Sequence, residues 1–384
     1  MAKYWVAVLA LVVRLVVIVA EPSPVLEANS KEYFSLASHL RFERAFSYGV
    51  VHTWGGDVRL APGGGDLHLT SDRAPLYPLL IASLWGADVP VRRVQVVNAL
   101  LGSGSVGLVS LMGGPWAGLA MAFWPRVVAG DVDLLSEPLF TFVLLLAVYL
   151  WVKHRFVGAG VLIGLAVLTR LTLLPWLLVS PLLVLKRREL GVIGVTALLV
   201  IAPWTLRNAI QLHRFVPVAT AGSGANVFLG TMKVPLWSGA NSWEIFSKDL
   251  EGQRILAEGR EDYETEALMR VAGVKRIWGN PFQWLINRSL QLVRFFVDPG
   301  GLYVRGVLRW PMKIFAIGSS LVLLVGFIAR IRRAPFPVLA VWCAMVAVYV
   351  PTYAIEMRFG APLVPLMLIG AFRSHSSTGR GESM

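Results

Sequence analysis

Residues 134–155 read Leu-Leu-Ser-Glu-Pro-Leu-Phe-Thr-Phe-Val-Leu-Leu-Leu-Ala-Val-Tyr-Leu-Trp-Val-Lys-His-Arg. After Glu137 no charge occurs until Lys153, where Lys153, His154 and Arg155 close the run. A stretch of about 20 apolar residues is long enough to cross a bilayer. Basic residues collect at the cytoplasmic end of such a stretch, so 134–152 reads as a span with Lys153 inside and Glu137 near the outer face. The same sign recurs at Lys186/Arg187/Arg188 and at Arg330/Arg332/Arg333. The other breaks, residues 21–75, 131–133, 207–310 and 354–359, are acidic, aromatic or glycine-rich and fall together on the opposite side.

Working outward, spans are expected near 3–20, 94–112, 115–130, 134–152, 156–170, 172–185, 190–206, 312–329, 336–353 and 360–373. That makes an all-α polytopic membrane protein of about ten helices with both ends cytoplasmic. Basic clusters on both sides of 156–185 require an even number of crossings there, which places an outer turn at Thr169–Leu171. Residues 1–206 form an N-terminal transmembrane module carrying the first outer loop, 21–75. A large extracytoplasmic loop spans 207–310, C-terminal helices span 311–373, and a polar cytoplasmic tail spans 374–384. Arg14 interrupts the first apolar run and no small-residue cleavage site precedes Glu21, so the first span is expected to be retained.

Composition agrees with this reading. The chain is 56% hydrophobic and only 15% charged, with a mean hydropathy of +0.63, outside the range of soluble globular proteins. Its net charge of +13 lies largely at the ends of apolar stretches, where it serves orientation and anionic headgroups rather than nucleic acid. The single cysteine, Cys343, excludes an internal disulfide and a thiolate metal cluster.

In the first outer loop, Ser30 reads as a helix cap ahead of Tyr33, Phe34, Leu36, Ala37 and Leu40, which share one face of a short amphipathic helix on the membrane surface. The glycine-rich stretch 52–69 lacks the Gly-Lys pair and following helix of a phosphate cradle. In the second loop, 244–276 reads as helical and 278–294 as an amphipathic segment on the bilayer.

Three sets of residues bear chemistry. Glu27, Glu32 and Asp72 are carboxylates near the interface, where partial desolvation suits a general base; solvated loop charges are the plainer reading. Arg73, Arg170, Arg207 and Arg358 each stand at the outer end of a span, where arginine is disfavoured. Bidentate pairing to phosphate explains them, and so does snorkelling to headgroups. Glu137 is either a functional intramembrane carboxylate or, with Ser136, part of a helix start whose Pro138 fills the first turn.

Five strings resemble, in order, motifs of the GT-C membrane glycosyltransferases, within the branch of protein O-mannosyltransferases and lipid A aminoarabinose transferases. They are Asp72-Arg73-Ala74-Pro75-Leu76-Tyr77-Pro78, Leu135-Ser136-Glu137-Pro138-Leu139-Phe140, Gly164 to Arg170, Pro203-Trp204-Thr205-Leu206-Arg207-Asn208, and Arg358 to Pro362. The resemblance covers most of 25–372 and fades between 232 and 310. It implies transfer of a sugar from a polyprenyl or dolichyl phosphate carrier to a glycan, lipid or protein acceptor on the extracytoplasmic face of the plasma membrane. It further implies a catalytic carboxylate four residues before a tyrosine of the first outer loop. In Asn29-Ser-Lys-Glu-Tyr33 that position holds Asn29, so Glu32 is the preferred base, with Glu27 and Asp72 as its neighbours. Asp72 and Arg73 correspond to a charged pair in phosphate and acceptor contact, and Arg358 to an arginine that holds the carrier phosphate. Tyr33, Glu137, Arg170 and Arg207 complete the expected substrate-binding set. No tightly bound metal is expected, although a divalent ion bridging the phosphate is compatible with the family. The rival class is a transporter or scaffold that binds polyprenyl phosphate without catalysis, which Asn29 would suit.

Overall fold

The computed structural model describes residues 2–20, 28–48, 68–179, 187–220, 224–233, 246–258, 262–297, 309–349 and 362–372. The described chain is helical apart from one antiparallel bridge, Ser47–Tyr48 against His68–Leu69. In chain order the first helices are α1 (Ala2–Ala20), α2 (Ala28–Phe42), α3 (Leu76–Ser83), α4 (Val91–Gly113) and α5 (Pro115–Ala122). They are followed by α6 (Pro125–Val132), α7 (Glu137–Val152), α8 (Phe156–Val167), α9 (Leu174–Val179) and α10 (Arg188–Leu212). Helices over Ala225–Leu229, Leu250–Ala257, Asp262–Gly279 and Pro281–Val297 make up the second loop, and Arg309–Ala329, Phe336–Tyr349 and Leu363–Phe372 close the chain.

Apolar length separates these helices. Among the described residues, α4, with 23 residues, and α10, with 25, are each long and apolar enough to cross a membrane, and α6 and α7 reach that length only together, bent by 114° at their break as a broken span or a re-entrant loop is. Five further apolar helical stretches of 10–17 described residues are Tyr4–Ala20, Phe156–Val167, Ile317–Ala329, Phe336–Tyr349 and Leu363–Phe372. The expected span at 115–130 is two helices, α5 and α6, each begun by a proline. Pro125 supplies no N–H to continue α5. Helix α6 also holds buried Arg126 and Asp131, which sets it apart from an apolar span.

That buried charge has a partner. Arg14, fully buried in α1, donates from Nε and Nη2 to Asp131 Oδ2 at 2.8 and 2.5 Å and from Nη1 to Ala10 O at 3.0 Å. The residue that breaks the first apolar run thus joins α1 to α6. Close helix approach follows small residues. Gly102 of α4 lies against the Asp131 carboxylate, and a Cβ at Gly164 of α8 would stand 2.9 Å from Ala197 O of α10.

Two local expectations are corrected. Helix α2 begins at Ala28, so Ser30 lies within it, buried, and does not cap it. Nor does α2 lie on a surface: Glu32, Tyr33, Phe34, Ser35, Leu36, Ala37, Ser38 and His39 are all buried. Its neighbours α3 and the strand Ser47–Tyr48 cover faces that sequence periodicity assigned to water. The turn at Thr169–Leu171 is present, with Arg170 extended between α8 and a short 3-10 turn at Leu171–Leu173.

The second loop has a small core of its own, formed by Phe228, Leu229, Phe246, Ile255 and Met269. Asp249 caps Leu250–Ala257 by accepting from Gly252 N. Arg276 donates to both Asp249 oxygens at 2.8 and 2.9 Å and to Glu251 at 2.8 Å while stacking on Phe228. Pro281–Val297 leaves Phe282, Leu285, Ile286 and Leu290 exposed, an apolar edge of the kind that rests on a bilayer.

Candidate functional site

Helix α2 is the axis of the polar cluster. Glu32 and Tyr33 are adjacent in sequence, so they point to different neighbours about 100° apart around the helix. Glu32 pairs with Arg73: Arg73 Nε donates to Glu32 Oε2 at 2.7 Å, Nη2 donates to the same oxygen, and Nη2 also donates to Asn29 Oδ1 at 2.8 Å. Asn29 and Glu32, one helical turn apart, therefore grip one guanidinium from the same face. Burial alone would lower the Arg73 pKa, but the Glu32 carboxylate, with Tyr33, Tyr48 and Asp72, raises it well above the usual arginine value. The charge on Arg73 is permanent.

Asp72, also buried, accepts from the Tyr48 hydroxyl at 3.4 Å. Its own N–H donates to Thr70 Oγ1 at 2.9 Å, which fixes the turn before α3. Burial, followed by the charges of Asp72 and Glu32, pushes the Tyr48 phenol well above its ordinary value, so it stays a neutral donor.

Tyr33 connects this pair to a second one. The Arg73 guanidinium lies 5.7 Å from the Tyr33 ring centroid, and the ring meets Tyr77 edge-on at 5.0 Å. The Tyr33 hydroxyl is 3.2 Å from Ser136 Oγ. Ser136 Oγ accepts from Arg170 Nη1 at 3.2 Å, and the same nitrogen stands 2.8 Å from Glu137 Oε1. Ser136 sits at the start of α7 yet makes no side-chain cap bond, because its hydroxyl is turned toward Tyr33 and Arg170. Glu137 Oε2, buried, has no hydrogen-bond partner.

Glu137 opens α7, whose 16 residues run about 24 Å to Val152, and Arg170 follows α8, whose 12 residues run about 18 Å.

Arg207 has a different surrounding. Nη1 donates to Thr70 O at 2.8 Å and Nη2 to Phe46 O at 3.2 Å, at the end of the two-residue bridge, where Thr70 N also donates to Phe46 O. Its plane lies between Trp204, 4.9 Å away, and Phe46, 5.6 Å away. This guanidinium clamps the two segments of the first loop together.

Thus Glu32, Tyr33, Asp72, Arg73, Glu137 and Arg170 stand in one linked cluster, and Arg207 borders it. Glu27 and Arg358 lie outside the described residues. Among the described residues, no group of three or more His, Cys, Asp or Glu side chains is arranged to hold a metal ion. Sequence reading missed Tyr48 and treated Ser136 only as a cap candidate. Tyr48 stands 24 residues from Asp72 and Ser136 stands 103 from Tyr33, so neither contact has a local signal.

No family model and no curated protein matches the chain. Among solved structures, the crystal structure of ArnT from Cupriavidus metallidurans bound to undecaprenyl phosphate is similar over 96% of this chain and 78% of that one, with 17% sequence identity and a TM-score of 0.41.

Proposed function

We propose that this chain transfers a sugar from a polyprenyl or dolichyl phosphate carrier to an acceptor at the extracytoplasmic face of the plasma membrane, by a single inverting displacement. One observation carries the reading: four of the five strings that resemble GT-C motifs, scattered over 136 positions between Asp72 and Asn208, meet around α2. Arg73 reaches Glu32, Ser136 reaches Tyr33, Arg170 reaches Ser136 and Glu137, and Arg207 reaches Thr70. Leu76 N, which donates to Leu168 O at 2.9 Å, ties the first string to the third. A chain held together only by apolar packing has no need to gather these particular strings at one place.

In this reading the acceptor, a glycan, lipid or protein hydroxyl or amine, attacks the anomeric carbon as Glu32 removes its proton. The phosphate departs with its negative charge held by arginine. Arg73 lies nearest the proposed base, and Asp72 completes the carboxylate environment. Most of the acceleration then comes from positioning a donor whose leaving group is already good.

The test is transfer of radiolabel from a polyprenyl-phosphate sugar in membranes containing the chain. Glu32→Gln should lower turnover about a hundredfold, as loss of a general base does, with donor binding retained. Absence of transfer from any polyprenyl-phosphate sugar, with binding of the carrier intact, would favour the second reading, a carrier-binding protein without catalysis. The hydrogen bond from Arg73 to Asn29, at the position where the family resemblance implies a carboxylate, is the observation that keeps that reading in view.

A further inference from the structure

Arg73 is already occupied. A guanidinium offers five N–H donors in a rigid fork, and the edge formed by Nε and Nη2 is spent on Glu32 Oε2, with Asn29 Oδ1 on Nη2 as well. The Glu32 side chain is only 7% exposed against 25% for Arg73, so the pair is approached from the arginine side. Asp72 stands close by and bonds Tyr48. Two carboxylates therefore surround one guanidinium. A phosphate arriving at this place meets excess negative charge, and its best partner is held by the chain itself.

Resting on the proposed function, we infer that Glu32 is a built-in competitor for the donor phosphate and that donor binding unmasks it as the base. The phosphate takes the Arg73 fork, and Glu32 is released. The freed carboxylate accepts the acceptor's proton as the acceptor's oxygen or nitrogen bonds to the anomeric carbon. The bond from that carbon to the phosphate oxygen breaks, and its electron pair stays on the phosphate beside Arg73. Base and donor site are thus coupled: without donor, Glu32 is tied up, and acceptor is not activated ahead of it. Charge, rather than shape, sets the exchange, and this gives a signed test at two neighbouring positions.

The experiment measures binding of undecaprenyl monophosphate to the full chain in detergent micelles by tryptophan fluorescence, with undecaprenol as the uncharged control. Glu32→Gln keeps the shape and a hydrogen-bond acceptor but removes the competing charge, so affinity should rise about tenfold. Asn29→Asp adds a second carboxylate at Arg73 Nη2, so affinity should fall about tenfold. The double variant restores the original charge count and should return to within about threefold of the parent. Damage to the fold weakens binding in every variant and cannot produce shifts of opposite sign. With the parent binding, any result other than tightening by Glu32→Gln and weakening by Asn29→Asp overturns the gate and leaves the proposed function standing. Binding by neither the parent nor Glu32→Gln overturns both.

Discussion

Replacing Arg170 by alanine should be among the most damaging single changes in the protein. Glu137 keeps 7% of its side chain exposed and Arg170 14%, and the two meet at 2.8 Å. Glu137 Oε2 has no partner even with arginine present, so Arg170→Ala leaves a buried carboxylate without its counter-ion. Breaking a buried pair from one side costs about 3–5 kcal/mol, because the charge left behind is uncompensated. Neutralising that charge should recover part of the loss: in Arg170→Ala/Glu137→Gln an amide faces only a hydrogen-bonding deficit, about 1–3 kcal/mol. The double variant should therefore be more stable than Arg170→Ala by about 1–2 kcal/mol. Unfolding in mixed detergent micelles, followed by tryptophan fluorescence, measures all three. An Arg170→Ala protein within about 1 kcal/mol of the parent, or a double variant less stable than the single one, would refute the claim that this is a desolvated pair.

Three further outcomes are expected. In a Cys343→Ala background, a cysteine at 187 should resist a membrane-impermeant thiol reagent in intact cells and one at 250 should react; the reverse would place the cluster on the wrong face. Arg207→Lys should release the first loop, because an ammonium does not bridge Thr70 O and Phe46 O as the planar fork does; protease cutting near residue 48 reads this out, with Arg207→Lys as resistant as the parent as the contrary result. For the second loop, burial raises the Asp249 carboxyl, but hydrogen bonds from Arg276 and Gly252 and the Arg276 charge outweigh it and hold the group below its ordinary 3.8. A lowered folded value means stability that is present above 3.8 and is lost as pH falls through that lower value. Amide exchange in Leu250–Ala257 should accordingly quicken on acidification in the parent, and Asp249→Asn should remove this dependence rather than steepen it.

Much of the helical pattern was legible because it is local. The runs between Lys153–Arg155, Arg187 and Arg330–Arg333 announce apolar helices, and the break at Arg170 followed from counting crossings between basic clusters. What the pattern hid was burial in the first loop. The string from Ser30 to Leu40 alternates polar and apolar residues much as a surface helix does, yet Ser35, Ser38 and His39 are buried. Ser38 Oγ and His39 Nδ1 both bond Ser35 O within the helix, so these two side chains are satisfied locally and periodicity misreads them as wet, while Ser35 Oγ is buried without a partner. The Arg14–Asp131 pair was likewise invisible, since its members are 117 positions apart. Arg14 alone reads as a flaw in a span, and only its partner turns it into a joint between helices.

The arginines show how far charge pattern alone can be taken. Arg73, Arg170 and Arg207, grouped by charge pattern at helix ends, border one region. Converging positive charges repel and desolvate at a cost that each must offset with a partner. Arg170 has Glu137, Arg207 has two backbone carbonyls, and Arg73 has Glu32 with Asn29. Anion binding in such a place is an exchange of partners rather than an addition. Displacing the carbonyls from Arg207 would undo the strand bridge, and displacing Glu137 would leave a carboxylate whose Oε2 already lacks a partner without its counter-ion. Glu32 is as buried as Glu137, but in the proposed exchange it leaves its arginine to act as the base, and that use is the reason the proposal sets the phosphate at Arg73.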